Sequence, residues 1–377
     1  MIWAEGSLRS PANGAVLRTD GPHALSGGGE RWPVVEGIPF LRADRRALAD
    51  QALAALDAND TEGALVALLA DQDNWARTPP PDEAARRRVV QEPGLTFRAA
   101  MDLLAFGAVG TYFAHRWSDP TFLSGLALAE AHWAPGPMFE LACGAGHFLR
   151  EFGRAGALPA GGDVVFAKLW LARRYVAPDA RLVCFDAAAP WPLDDGAFAT
   201  VFCHDAFYFL PEKPHVAAEM QRVAPRVLVG HAHNSLVENL SAGSPMSPAG
   251  YAGLFGTALL YDDQELTAAL VEAREPRAVD AGALTDVPAV SMAVGTGPAR
   301  AVTGQLALPP AGTALRRNPL YEGNRVQWPS PRYEAEYAPL ATYPLIVDGP
   351  ETALAGDDPA IQSLARRRVL LDLPPQW

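Results

Sequence analysis

Cysteine is scarce in this sequence. The 377 residues contain 3, Cys143, Cys184 and Cys203, and none belongs to a C-x-x-C pair. That excludes a disulfide scaffold and a cysteine zinc site, and it points to a reducing compartment. No apolar run reaches the roughly 18 residues of a membrane-spanning helix. The opening MIWAEGSLRS lacks the basic-then-apolar pattern of a signal peptide. A cytoplasmic protein with no membrane partner is therefore expected. Long blocks of basic residues are also missing. With 31 Lys and Arg against 43 Asp and Glu, the formal net charge is −12, which excludes general nucleic-acid binding. The clusters Arg86 to Arg88 and Arg366 to Arg368 are short and read as solvated helix faces. No internal repeat or low-complexity block is visible. What remains is an ordinary globular chain, 49% apolar, long enough for two or three domains.

The chain is organised around Met138 to Phe148, MFELACGAGHF. Its apolar start reads as a short buried strand closing on Glu140. A small-residue loop, Ala142-Cys143-Gly144-Ala145-Gly146, follows, and a helix opens near His147. Strand, glycine loop and helix open a nucleotide-type α/β domain, because a ligand must approach the turning backbone without a Cβ in the way. The dinucleotide fingerprint would place its last glycine at position 147, which is His147; here it stands at Gly146.

Downstream elements keep the rhythm. A strand ends near Asp163, roughly 20 residues past Glu140, the distance expected of a carboxylate that grips ribose hydroxyls. A helix follows over Lys168 to Tyr175. A third strand ends in Asp186, a fourth spans Thr200 to Cys203 before His204-Asp205, and a fifth spans Arg226 to Gly230. The acidic residue before G-x-G, the run Pro192-Leu193-Asp194-Asp195-Gly196-Ala197-Phe198 and the helix with Glu219, Arg222 and Val223 together resemble the class I S-adenosylmethionine (SAM) methyltransferases, of the type 11 kind. The resemblance covers about Trp133 to His233, with weaker continuation to Thr296. It implies a Rossmann-like α/β fold with a seven-stranded, mostly parallel sheet and helices on both faces. It also implies SAM as cofactor, contacted by Glu140, Ala142, Gly144, Gly146, Asp163, Val164, Asp186, Ala187 and His204, with Asp186 on the adenine amino group. Two positions depart from the pattern: Ala142 replaces its first glycine, and Ala199 replaces an aspartate before strand four.

Four segments are expected. Residues 1–42 are punctuated by Gly and Pro and read as β hairpins. Their end, Trp32 to Leu41, resembles a zinc-ribbon-like unit known as a methyltransferase activator. Its thiolate positions fall here on Ser10, Asn13, Leu25 and Gly28, so no zinc is expected. Residues 43–132 read as a helical lid, with Thr61 capping a helix and a loop at 78–81. In the related enzymes a helix before the glycine motif covers the cofactor, so Tyr112 and Arg116 are expected at its methionine carboxylate, which suits a guanidinium. The methyltransferase domain spans 133–296. Residues 297–377, rich in proline and aromatics, form a tail that walls the substrate pocket or makes a homodimer contact.

After strand five the chain reads His231-Ala232-His233-Asn234. Ligands in open α/β sheets bind outside the carboxyl ends of strands, which puts this run beside His204 and Asp205. In an extended H-x-H both rings point to one side. A metal completed by His204 or Asp205 is one reading. General-base or substrate-bonding roles for His204, Asp205, His231 and His233, with no metal, are preferred, since histidine titrates near neutral pH. The expected activity is in-line methyl transfer from SAM to an oxygen of a small-molecule acceptor. The alternatives are a non-catalytic SAM-binding or partner-regulating protein and an NAD-dependent oxidoreductase.

Overall fold

A computed structural model describes residues 3–73, 76, 79–239 and 243–377. Thr78, at the start of the expected 78–81 loop, lies outside the described residues. The N-terminal unit is an antiparallel sheet of β1 (Arg18–Thr19), β2 (Ala24–Gly27), β3 (Glu30–Val35) and β4 (Ile38–Pro39) in that order. At the positions matching the ribbon's thiolates, Asn13 Nδ2 donates to Gly28 O at 3.0 Å. Trp32, Ile38 and Phe40 are buried. The unit does not stand apart, because the Leu41 amide donates to Cys184 O at 2.7 Å on the edge of the main sheet.

The helical segment comprises α1 (Arg46–Asp57), α2 (Thr61–Leu68), α3 (Glu83–Gln91), α4 (Phe97–Leu103), α5 (Gly107–His115) and α6 (Pro120–Ala131). Helix α2 is capped by Asp60, whose carboxylate accepts the Gly63 amide at 2.7 Å. Thr61, the expected cap, is the first helical residue, because aspartate one position earlier offers the better acceptor. No helix among the described residues is long and apolar enough to cross a membrane.

The main sheet contains β5 (Pro137–Leu141), β6 (Leu158–Asp163), β7 (Arg181–Cys184), β8 (Thr200–His204), β9 (Arg226–His233), β10 (Ala258–Asp262) and β11 (Ala289–Val294). Its order is β10-β11-β9-β8-β5-β6-β7. All neighbours are parallel except at β11, which runs antiparallel to both β9 and β10. The connecting helices are α7 (His147–Arg154), α8 (Phe166–Leu171), α9 (Lys213–Val223), α10 (Pro248–Phe255) and α11 (Asp263–Glu272). Along β5, Met138 packs into one apolar layer and Phe139 and Leu141 into the other, as the two-residue strand period requires. The chain runs from β5 outward to β7, then returns to place β8 on the other side of β5. In open α/β sheets ligands bind where that direction reverses, here at the carboxyl ends of β5 and β8.

The tail carries β12 (Ala314–Arg317), β13 (Tyr321–Glu322), β14 (Arg325–Val326), α12 (Pro331–Tyr337), β15 (Thr352–Leu354), α13 (Pro359–Arg366) and β16 (Leu370–Leu371). It is tied onto the lid. Buried Glu130 of α6 accepts the amides of Thr303 at 2.6 Å, Gly304 at 2.8 Å and Leu306 at 3.1 Å. Trp377 Nε1 donates to Ala114 O at 2.7 Å. Arg87 and Arg88 face solvent in ion pairs with Glu83 and Glu92. Arg368, expected on a solvated face, is instead buried, with its guanidinium 5.4 Å from the Phe122 ring centre. The helix ends at Arg366, and Arg368 turns inward with φ +61°.

Candidate active site

The glycine loop leaves β5 at the reversal point. Ala142, Gly144 and Gly146 have φ of +54°, +53° and +82°. Ala142 therefore adopts the left-handed backbone that a glycine takes without cost. A Cβ on Gly144 would sit 3.0 Å from the Phe113 ring of α5, so the lid packs directly on the loop. The Gly144 amide donates to Asp163 Oδ2 at 3.0 Å, and the Val165 amide donates to Asp163 Oδ1 at 2.9 Å. Lys168 Nζ lies 3.6 Å from the same carboxylate. Buried Glu140 keeps Oε2 without a hydrogen-bond partner, and burial holds its carboxyl well above the usual range.

Two residues that the sequence did not single out brace this side. Arg42 Nη1 donates to Val164 O at 2.8 Å and to Asp71 Oδ1 at 3.1 Å. Asp71 Oδ2 accepts the Phe166 amide at 3.1 Å. This buried pair holds the turn that follows Asp163. Asp186 lies one strand further out and accepts the Ala188 amide at 2.9 Å. Ala187 is buried beside it, with its carbonyl bonded to Trp191 Nε1.

The residues fit an adenosyl ligand. Asp163 has used one acceptor direction per oxygen, and an ionised carboxylate offers about four in all. Glu140 adds an unpaired buried oxygen facing the same loop. Tyr112 and Arg116, expected at the methionine end, have partners within the protein. Arg116 is buried and donates through Nη1 to Asp119 Oδ2 and Thr121 Oγ1, both at 2.7 Å. The Tyr112 hydroxyl donates to Asp205 Oδ2 at 2.8 Å.

Across the crevice lies a polar mouth. Asp205 and His231 both adopt left-handed backbone, φ +55° and +50°. Asp205 Oδ1 accepts the Tyr208 hydroxyl at 2.9 Å and lies 4.0 Å from His231 Nε2. His231 Nδ1 sits 2.6 Å from Asp263 Oδ2, and Asp263 is itself fixed by Ser124 at 2.8 Å and Ser291 at 2.5 Å. The β9–β11 register slips between Val290 and Met292, so Gly230 and His231 together oppose Ser291. That bulge re-aims His231. Its Nε2 comes 3.3 Å from His233 Nε2, and Tyr208 stacks on the His233 ring at 4.1 Å. Burial pulls the His231 pKa down, but Asp205 and Asp263 outweigh it and lift it to about 9. Burial also opposes ionisation of Asp205, yet His231 and Arg116 bring it down to about 2.

His204 differs from the expectation. Its ring is buried between Phe148 and Phe202, and neither nitrogen has a hydrogen-bond partner. A Cβ on Gly230 would lie 2.3 Å from its Nδ1, and one on Gly125 2.7 Å. Burial lowers its pKa to about 3. Both nitrogens are thus buried and unpaired, with the His231 ring centre 5.9 Å from its own. Asn234 is likewise structural, donating to the carbonyls of Leu284 and Val287. Asp263, the first residue of α11 and not singled out in the sequence, proves to be the carboxylate that orients His231. A cavity of about 400 Å³ on the N-terminal unit, lined by Trp3, Leu17, His23, Val35 and Leu56 among others, holds none of these groups.

Residues 139–226 match a family model described as a methyltransferase domain. Among curated proteins none matches. Solved structures similar to this chain include a Pyrococcus horikoshii protein, 23% identical over 29% of this chain and 51% of its own, with a TM-score of 0.27. The chain thus spans about half the length of that relative. A Haloferax volcanii complex of the Trm112 activator with a putative methyltransferase is 16% identical, covering 54% of this chain and 97% of its own, TM-score 0.37. A Haemonchus contortus phosphoethanolamine N-methyltransferase with bound S-adenosylhomocysteine is 16% identical, covering 47% and 49%, TM-score 0.36. The family match lies over the glycine loop, Asp163, Asp186 and the β8 mouth, so this stretch of the chain is similar to a methyltransferase domain.

Proposed function

We propose that the protein transfers a methyl group from SAM to an oxygen of a small-molecule acceptor. The observation that carries the reading is the Asp163 carboxylate, tied to the Gly144 amide at the reversal of the sheet. Glu140, Gly144, Gly146, Val164, Asp163, Asp186 and Ala187 hold the adenosyl part. Bound SAM supplies an electrophilic methyl on a sulfonium. Such a transfer needs little covalent help, so alignment and exclusion of water carry most of the rate. The lid serves that end, since Phe113 packs on the loop and the tail is pinned to α5 and α6.

An oxygen acceptor must also lose its proton as attack proceeds. The polar groups across from the glycine loop are Asp205, His231 and His233. Of the histidines, His231 is oriented by a carboxylate, through Asp263, and with its pKa lifted to about 9 it is a cation at neutral pH, so it bonds and orients the acceptor oxygen rather than taking its proton. His204, among phenyl rings, supplies shape only. The N-terminal unit serves as a brace, through Arg42 and Leu41, and holds no zinc. The tail walls the acceptor pocket, with Tyr337 and Glu336 of α12 on the side of Asp205.

The test is transfer of label. Methyl-labelled SAM is incubated with the protein and a panel of small phenols, alcohols and carboxylic acids, with amines alongside. Label in an ether or ester product supports the reading. Label confined to amines overturns the oxygen assignment, and none in any product while SAM binds favours a non-catalytic SAM-binding role.

A further inference from the structure

We propose that Asp205, His231 and His233 form a binding site for one divalent transition-metal ion at the acceptor end of the crevice. Ligand atoms of these three side chains all lie within 4.8 Å of one another. The contributors are Asp205 Oδ1, His231 Nε2 and His233 Nε2.

The spacing is the first argument. His231 Nε2 and His233 Nε2 are 3.3 Å apart. Two imidazole nitrogens bound at about 2.0–2.1 Å to one tetrahedral zinc stand about 3.3 Å apart, so this edge is already at its bound length. The edge from His231 Nε2 to Asp205 Oδ1 is 4.0 Å and needs to shorten by roughly half an ångström.

Support behind the ligands is the second argument. A metal-bound histidine donates its other ring N–H to a carboxylate or carbonyl, which fixes its tautomer. His231 Nδ1 is so placed against Asp263 Oδ2 at 2.6 Å, with Ser124 and Ser291 holding Asp263. Asp205 is aimed by the Tyr112 and Tyr208 hydroxyls. Tyr208 also stacks on His233. Two of the three ligands, Asp205 and His231, are thus held by hydrogen bonds from groups that do not themselves bind the metal, while His233 is held by stacking and its Nδ1 has no hydrogen-bond partner.

Charge is the third. The carboxylates of Asp119, Asp205 and Asp263 are buried together, and Glu336 acts on Asp205, Asp119 and His231 from the tail. Arg116 faces Asp119 and Asp205, and Arg332 faces Glu336. Buried carboxylates in excess of cations welcome a bound dication.

Three protein ligands leave further positions open, the pattern of a catalytic metal centre. An acceptor oxygen bound there would release its proton to solvent water and attack as the metal-held oxyanion. The C–S bond breaks as the O–C bond forms, with the electron pair passing to sulfur. This use rests on the methyltransferase reading, whereas the binding site itself does not.

The experiment uses the full chain, stripped with a chelator and titrated with Co²⁺. Visible absorption and calorimetry read metal binding, and S-adenosylhomocysteine titration is run on the same samples. The expected result is one saturable Co²⁺ per chain with the visible bands of a nitrogen- and oxygen-bound ion. His233→Ala should weaken Co²⁺ at least a hundredfold while leaving S-adenosylhomocysteine affinity within about threefold. Asp263→Asn, which touches only the far side of His231, should weaken it about 10–100-fold. His233→Gln serves if the alanine variant fails to fold. No saturable Co²⁺ in the wild type, or binding unchanged in the His233 variants, overturns the site: a shared proton then fills the 3.3 Å gap. Metal bound without S-adenosylhomocysteine binding would keep the site and sink the cofactor reading.

Discussion

Asp163 Oδ2 accepts the Gly144 amide at 3.0 Å, so the carboxylate at the end of β6 also sets the shape of the loop that follows β5. Replacing it removes a charge-assisted bond to the loop and, on the proposed reading, a contact to the ribose at one stroke. Each such bond contributes roughly 1.5–3 kcal/mol. Asp163→Ala should therefore weaken S-adenosylhomocysteine more than tenfold by calorimetry. Unchanged affinity would show that the cofactor does not touch Asp163.

The Arg42–Asp71 pair is buried, with side-chain exposure of 0% on both partners. Breaking a buried pair by removing one partner leaves an uncompensated charge and costs about 3–5 kcal/mol. Arg42→Met should destabilise by that order in denaturant unfolding, and Arg42→Met with Asp71→Leu should recover much of it. The Arg42 donors to the Val164 and Gln72 carbonyls stay lost in both, so recovery is incomplete. A double variant no more stable than the single would contradict a pairing role.

Ala142 sits at φ +54° where the family pattern has glycine. A left-handed residue with a Cβ costs about 1–2 kcal/mol, partly offset by the greater freedom glycine gains in the unfolded chain. Ala142→Gly should stabilise by about 0.5–1 kcal/mol, read as a higher denaturation midpoint at constant slope. A lower midpoint would mean that the methyl packs usefully.

His132 is buried against Tyr261, with Nε2 2.8 Å from the hydroxyl, and burial lowers its pKa to about 4. The folded value is depressed relative to the unfolded one near 6.5. The native state thus resists a proton that the unfolded chain accepts. Its contribution is full above pH 6.5 and is lost as pH falls toward 4. At pH 5 that loss is about 2 kcal/mol. Comparison with His132→Gln cancels the other titrating groups. The variant should lose about 2 kcal/mol less than the wild type between pH 7.5 and pH 5, and parallel losses would contradict the assignment.

The strand–loop–helix of β5 and α7, the strands β8 and β9 and the last strand Ala289–Val294 were legible from local pattern, because each is an apolar run bounded by glycine, proline or an acidic cap. The edge strand β10 was not. Its short ALLYD run, two residues after α10, has no alternation of apolar and polar residues, and pairing with β11 makes it extended. The carboxylates Asp163 and Asp186, proposed to hold the cofactor, stood out by their place at strand ends. The role of Asp263 did not, since a residue at the start of a helix looks like a cap, and only the bulge at His231 brings it into contact. His204, at a strand end, read as a catalytic position; that two distant glycines, Gly125 and Gly230, make room for its ring was not legible. The bond from Arg116 Nη1 to Asp119, three residues on, was not legible from spacing, since it depends on the turn between α5 and α6.

The central claim is that the reversal of the sheet binds SAM. It is tested most directly by calorimetric titration of the purified chain with S-adenosylhomocysteine, with NAD⁺ titrated alongside. One site per chain for S-adenosylhomocysteine and no heat of binding for NAD⁺ is the expected result. Saturable binding of NAD⁺, with none of S-adenosylhomocysteine, would contradict it.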